Sequence, residues 1–195
     1  MSDSYNFNNN LHTDVRALIP LIAIHGDNLV GAEIGVWKGD AFMTLLHNCP
    51  NIKTLHGVDC YKPYDDYLSP GVYNANEPSV VYDRKEIDFI KLVCYHRLEY
   101  SGHKDKIHFH EMDSDEAADY IDDESLDFIF LDAYLTGKQA KNDLDVWYLK
   151  VKDGGIFAGH DWDCKDVEVA VNDFRKDNNI TKPMCTYDNT WVWVK

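Results

Sequence analysis

Residues 31–40 read GAEIGVWKGD, an apolar run that halts on an acid, Glu33, and then on two glycines, Gly35 and Gly39. With the residues before it, NLVGAEIGV (28–36) has the pattern of a buried strand entering a glycine turn. DAFMTLLHNC (40–49) has the spacing of the helix that follows, with Asp40 placed to cap it. A strand, a glycine turn and a helix in this order form the first half of a βαβ unit, which commits the chain to a parallel sheet. The turn lacks the G-x-G-x-x-G spacing that brings backbone N–H groups around a pyrophosphate. Its acid suits a ligand carrying positive charge, such as an amino group.

The pattern repeats downstream. IKTLHGVD (52–59) predicts a second strand ending on Asp59, twenty residues after Gly39, where a carboxylate can accept hydrogen bonds from both hydroxyls of a ribose. Taken in order, Glu33 and Asp59 point to a nucleoside with an amino-acid tail. Further strand patterns at KIHFHEM, LDFIFLD and GGIFAGHD alternate with helix patterns at RKEIDFIKLVCYHRLEY, DEAADYI, KQAKNDLDVWYLK and KDVEVAVNDFRKD. Upstream, TDVRALIPLIAIH predicts a helix capped by Thr13 and kinked or ended by Pro20. The chain closes on KPMCTYDNTWVWVK, two β-rich runs about Asp188 and Asn189 that predict an antiparallel hairpin, with Trp191 and Trp193 packed on one face. The expected fold is α/β: a Rossmann-like, doubly wound, mostly parallel seven-stranded sheet with a C-terminal antiparallel hairpin. A loose arm over 1–12 and a single domain over 13–195 are expected, and ligands belong at the carboxyl ends of the strands where strand order reverses.

Composition narrows the partners. The formal net charge of −15, from 34 acidic against 19 basic residues, disfavours attraction to nucleic acid or anionic membranes. The acidic stretch DSDEAADYIDDESLD (113–127) reads as a solvated helix face and turn. Five scattered cysteines with no C-x-x-C pair argue against a disulfide framework or zinc knuckle and for reduced thiols. No charged-then-apolar leader opens the chain, and the longest apolar run, ALIPLIAI, is too short to span a bilayer. A cytoplasmic location and a small-molecule substrate are expected; monomer and homodimer remain open.

Other strand ends carry polar groups. Asp113 and Ser114 follow the third strand, where they can bond the edge of a purine or cap the next helix. Asp132 ends the fourth strand and Asp161 the fifth. If those strands are neighbours, about 4.8 Å apart, the two carboxylates converge and must share a proton or recruit a cation, magnesium, manganese or calcium rather than zinc. His160 or Asp163 would then serve as general base or extra ligand, although His160 projects away from Asp161 if the strand persists. His108 and His110 share a face of the third strand but have no third soft ligand near them in sequence, so ordinary strand residues are expected. The tyrosine-rich excursion YKPYDDYLSPGVY (61–73) reads equally as a substrate lid or a packed surface loop.

GAEIGVWKGD, the acid of GVD, the DSDEAA turn, and LDFIFLDAY leading through GGIFAGHD to VEVAVNDF together resemble a class I S-adenosylmethionine-dependent methyltransferase. More narrowly, they resemble the small group that includes macrocin-type O-methyltransferases; the likeness spans about residues 29–176. It implies that Glu33, Gly35 and Gly39 line the methionine end, that Asp59 takes the ribose, and that Asp113 and Ser114 flank the adenine. Asp132 would border the cofactor and, with Asp161, hold a divalent cation such as Mg2+ against the substrate hydroxyl. Many such relatives carry a histidine three positions after the fourth-strand aspartate and an aromatic two residues later, whereas Leu135 and Gly137 stand here. Tyr134 and His160 are the substitutes as catalytic groups. The resulting expectation is methyl transfer to a small-molecule acceptor, with a hydroxyl oxygen preferred to nitrogen. The alternatives are an S-adenosylmethionine-binding protein without turnover and, disfavoured by the missing dinucleotide pattern, a nicotinamide oxidoreductase.

Overall fold

A computed structural model of the chain describes residues 15–63, 83–133 and 137–195. The elements run α1 (Leu18–His25), β1 (Leu29–Ile34), α2 (Asp40–Asn48), β2 (Ile52–Val58), α3 (Arg84–Glu99), β3 (Ile107–His110), α4 (Ser114–Ala118), β4 (Leu126–Leu131), α5 (Gly137–Lys150), β5 (Val151–Gly159), α6 (Lys165–Asp177), β6 (Met184–Tyr187) and β7 (Thr190–Val194). They build one 7-stranded sheet in the order β3-β2-β1-β4-β5-β7-β6. Pairing is parallel from β3 through β5, and β7 runs antiparallel to both β5 and β6. This is the α/β sheet with a terminal hairpin that the sequence predicts.

The central strands read as nearly continuous apolar runs because helices cover both faces. On one side Phe128, Phe130 and Leu55 pack with Leu18 and Ile22 of α1, Phe42 and Leu45 of α2, and Ile87, Ile90 and Cys94 of α3. On the other, Ile129, Leu131 and Phe157 pack with Ala117 and Ala118 of α4, Leu144 and Trp147 of α5, and Val167, Val171 and Phe174 of α6. Trp191 and Trp193 enter this second layer and stack at 5.2 Å between centroids, as expected of the hairpin. The hairpin turns on Asp188 and Asn189, both left-handed at φ 46° and 65°, the backbone that matches the strands' right-handed twist in a two-residue turn.

Three local expectations change. Pro20 neither kinks nor ends α1; it sits in the first turn, where its missing N–H has no intrahelical partner to lose. Thr13, its expected cap, lies outside the described residues, and Ala17 at the cap position makes no side-chain bond. Asp40 is the first residue inside α2 rather than its cap, which is Gly39 in the left-handed conformation. The Asp40 carboxylate instead accepts from Arg97 Nη1 of α3 at 2.6 Å.

Strand order reverses between β1 and β4. There the Asp132 N–H donates to Ile34 O at 2.8 Å, so the turn after β1 and the end of β4 lie against each other at the crevice where ligands of doubly wound sheets bind.

Candidate active site

The turn after β1 is fixed from within. Gly35 lies at φ 93°, and a Cβ there would stand 2.4 Å from Asp132 O, so both the conformation and the close approach of β4 require glycine. The N–H of Gly35 donates to Val58 O at 2.8 Å and that of Gly39 to Val36 O at 2.8 Å. Trp37, left-handed at φ 53°, donates its N–H to Asp59 Oδ2 at 2.7 Å. Amides that a phosphate loop would point at its ligand are therefore engaged inside the protein, which accounts physically for the missing pyrophosphate motif. Glu33 is 1 % exposed on β1, between Gly57 of β2 and Phe130 of β4.

Asp59 is the hub of this end. Its second oxygen accepts the N–H of Tyr61 at 2.8 Å, and the Tyr61 hydroxyl returns to Trp37 O at 2.8 Å. Burial pushes the Asp59 carboxyl upward, against backbone N–H bonds from Trp37, Tyr61 and Val36 that favour the carboxylate. Four lone-pair directions against three N–H donors leave the carboxylate room for one further hydroxyl donor. Tyr61 is 3 % exposed and belongs to the core, so this tyrosine is no lid; the other tyrosines of the excursion lie outside the described residues.

Beyond β3, Asp113 and Ser114 do not cap α4 with their side chains. Asp113 holds the cap position with no side-chain cap bond and pairs instead with Lys62, which comes from the loop after β2. Ser114 donates its hydroxyl to Asp143 Oδ1 of α5 at 2.6 Å, and Gln139 Nε2 donates to the same oxygen at 3.0 Å. Asp143 is 1 % exposed, and burial lifts its carboxyl to about 6. Sequence reasoning missed Asp143, although its position among Ala140, Leu144 and Trp147 on one stripe of α5 marks a buried acid.

At the β4–β5 end the expected convergence occurs, and His160 joins it. One ligand atom each from Asp132, His160 and Asp161 lie within 4.8 Å of one another, which among the described residues makes them the one such acidic or histidine group. His160 Nδ1 stands 3.0 Å from Asp161 Oδ1 and 3.4 Å from Asp132 Oδ1. Strand alternation would have sent His160 and Asp161 to opposite sides, but β5 ends at Gly159 and Asp161 is left-handed at φ 58°, which swings its carboxylate back beside the ring. The Leu131 carbonyl accepts the His160 N–H at 3.0 Å, and the His160 carbonyl accepts Trp191 Nε1 at 3.0 Å, so the backbone of this turn is tied to β4 and to the hairpin. Asp163 is exposed and not part of this cluster: its backbone N–H donates to Asn189 Oδ1 at 2.7 Å, and Cys164, not Asp163, holds the cap position of α6. Tyr134 and Leu135 lie outside the described residues.

A strand-order switch with acids on β1 and just after β2, and a carboxylate–imidazole cluster at the ends of β4 and β5, lies at the crevice where ligands of doubly wound α/β sheets bind. The methyltransferase domain family matches residues 32–162, more than half of the chain, and the chain belongs to it. It is an S-adenosylmethionine-dependent methyltransferase. The fold is shared with the O-methyltransferase NovP (16% identity, 93% of this chain and 77% of that one, TM-score 0.63). It is also shared with precorrin-6y C5,15-methyltransferase from Geobacter metallireducens (14%, 98% and 93%, TM-score 0.60). A precorrin 8w decarboxylase from Methanobacterium thermoautotrophicum has it too (16%, 92% and 87%, TM-score 0.59). No curated protein matches the sequence. Among the described residues, no helix is long and apolar enough to cross a membrane.

Proposed function

We propose that this methyltransferase acts on a hydroxyl oxygen of a small molecule, with Asp132, His160 and Asp161 as the groups that prepare the acceptor. The observation that carries this reading is the meeting of two carboxylates and an imidazole beside the strand-order switch. Methyl transfer forms the acceptor O–C bond as the sulfonium S–C bond breaks; sulfur keeps the electron pair and leaves as S-adenosylhomocysteine. Such a displacement demands an in-line oxygen and a place for its proton.

The chain supplies the place for the proton. With Nδ1 facing the two carboxylates, the favoured neutral tautomer of His160 carries its proton on Nδ1 and its lone pair on Nε2. The neighbouring negative charge then stabilises the imidazolium formed when Nε2 accepts the hydroxyl proton. His160 thus fills the base role left by the absent family histidine at Leu135.

The same donor set fits a divalent cation. The two carboxylates, with room for water, suit magnesium or manganese, with Asp132 and Asp161 as the oxygen ligands, and a bound ion would lower the pKa of the acceptor hydroxyl. At the cofactor end, Glu33, Gly35, Gly39 and Asp59 form the methionine and ribose side of the pocket, Asp113 and Ser114 its adenine side, and Asp132 borders the methyl group. A cytoplasmic small-molecule enzyme with no nucleic-acid partner agrees with the net charge of −15.

Calorimetry with S-adenosylmethionine and S-adenosylhomocysteine, with and without magnesium, followed by turnover on a panel of hydroxylated and amino metabolites, tests the reading. Formation of S-adenosylhomocysteine with a hydroxylated acceptor is expected. Cofactor binding without turnover on any acceptor would favour a binding protein, and turnover only on amines would move the acceptor to nitrogen.

A further inference from the structure

We propose a second metal site, separate from the reaction centre, in which His56, His108 and His110 bind one borderline divalent ion, Zn2+ or its neighbours Cu2+ and Ni2+, and clip the edge strand β3 to β2. Parallel register sets His56 opposite His108 and Val58 opposite His110, so all three imidazoles emerge on the same face of these strands. Their neighbours Leu55, Ile107 and Phe109 face the opposite layer, with the core around α2 and α3. The third soft ligand that His108 and His110 lack in sequence is thus supplied from β2.

Two of the three rings already stand at ligand spacing, and His108 reaches the same ion by turning its side chain. His56 Nδ1 and His110 Nε2 are 3.0 Å apart, which places them as adjacent ligands of an ion at about 2.1 Å from each. The His56 and His110 rings are nearly coplanar in orientation, 21° apart with centroids at 5.3 Å, and the His108 ring lies 5.3 Å from that of His56. His108 is exposed, so a side-chain rotation that brings it onto the ion costs little packing.

Protonation state favours the same outcome. Burial and the other two histidines push His56 down to about 4, and burial with His108 lowers His110, so these rings are neutral near pH 7 and present lone pairs. Without an ion, one His56–His110 proton is shared between two nitrogens. An imidazole set without a carboxylate selects zinc, copper or nickel over magnesium and calcium, the opposite preference to the Asp132–Asp161 pair. The location gives the site its use: β3 is a four-residue edge strand, and an ion joining His108 and His110 to His56 fastens it to the strand that carries Asp59.

The test is a titration of metal-free protein with ZnCl2 at pH 7.5, in an Asp132→Asn, Asp161→Asn background that removes the acidic pair. It is followed by calorimetry and by the imidazole resonances in 15N-labelled protein. One zinc per chain is expected, with the resonances of His56, His108 and His110 shifting together. Affinity should weaken at least about tenfold in H110Q and in H108Q. His108 is exposed, so H108Q keeps its circular dichroism and isolates ligand loss from misfolding. Zinc binding that is equal in the background and in both glutamine variants, or no binding at about millimolar zinc, would overturn the site.

Discussion

At the β1–β2 end of the pocket, both oxygens of Asp59 accept backbone N–H groups, from Trp37 and Tyr61. At the β4–β5 end, Asp132 and Asp161 turn toward a single imidazole, and it is the backbone around them that is tied down. The first acid shapes the turn after β1 and the loop after β2, so its structural role and the binding role proposed for it are inseparable. The second pair is placed by the sheet and by a left-handed turn, and its side chains contribute little to holding the fold. The two ends should therefore respond to mutation in different currencies: stability together with affinity at one, turnover at the other.

The largest effect is expected from Asp59→Ala. It strips acceptors from two N–H groups in a partly buried turn, each costing about 1–3 kcal/mol when left unmet, and removes the proposed ribose acceptor as well. Thermal denaturation should show a loss of several kcal/mol, and calorimetry at least about a hundredfold weaker S-adenosylmethionine binding. A variant that melts like wild type and binds the cofactor normally would break the contrast, because Asp59 would then be neither scaffold nor ligand.

Asp161→Asn should behave in the opposite way. The substituent is isosteric, the residue is half-exposed, and its left-handed φ of 58° is one that asparagine tolerates well. Melting temperature and cofactor affinity should stay near wild type while kcat falls about 10²–10³-fold, the range for loss of positioned acid–base assistance. Steady-state kinetics with saturating cofactor reads this directly. An unchanged kcat would remove Asp161 from the chemistry and leave the β4–β5 end as structure.

How far these roles could be read in the sequence depends on what each one rests on. The strand–turn–helix of GAEIGVWKGD and the pairing of Asp132 with Asp161 were legible because strand order and apolar runs are local, repeated signals. The position of His160 was not: alternation predicted the wrong side, since a single left-handed residue after Gly159 resets the direction and no residue type demands it there. The partners of Asp40 and Ser114 were also hidden. Both residues suit helix caps, but Arg97 and Asp143, distant in sequence, offer better partners. His56 joins His108 and His110 only through β2–β3 register, which the alternation of either strand alone does not specify.

Asp143→Asn sharpens the comparison from behind the site, with a smaller effect that depends on pH. Burial raises the Asp143 carboxyl from 3.8 to about 6, so the native state holds this proton more tightly than the unfolded chain does. The stabilising contribution is fully present below about pH 4 and is lost as pH rises through about 6; it is worth at most about 3 kcal/mol. Asparagine is neutral throughout. Relative to wild type, the variant should therefore gain stability between pH 4 and pH 7 in urea denaturation. His56, pushed down to about 4, titrates over the same window with the opposite sign but is common to both proteins and cancels in the difference. A pH-independent difference would show that the Asp143 carboxyl titrates alike in the native and unfolded chain, its bonds from Ser114 and Gln139 offsetting its burial.

The smallest effect is expected from Lys62→Met, which cuts the link to Asp113 across the proposed adenine side of the pocket. Both side chains are about two-fifths exposed (43%/43%), so the pair is screened by water and worth about 0–1 kcal/mol. Melting should change little and lose its small salt dependence. The consequence for binding runs through Asp113: with Lys62 gone, its carboxylate has one strong donor fewer and can accept from the amino edge of a purine. Cofactor affinity should hold or rise by up to about threefold, whereas a loss beyond that would place Lys62 itself on the cofactor. That outcome would move Lys62 from the rim of the pocket into the binding set with Asp59, and would show that fastening to a neighbour and contact with the cofactor are not confined to the β1–β2 turn.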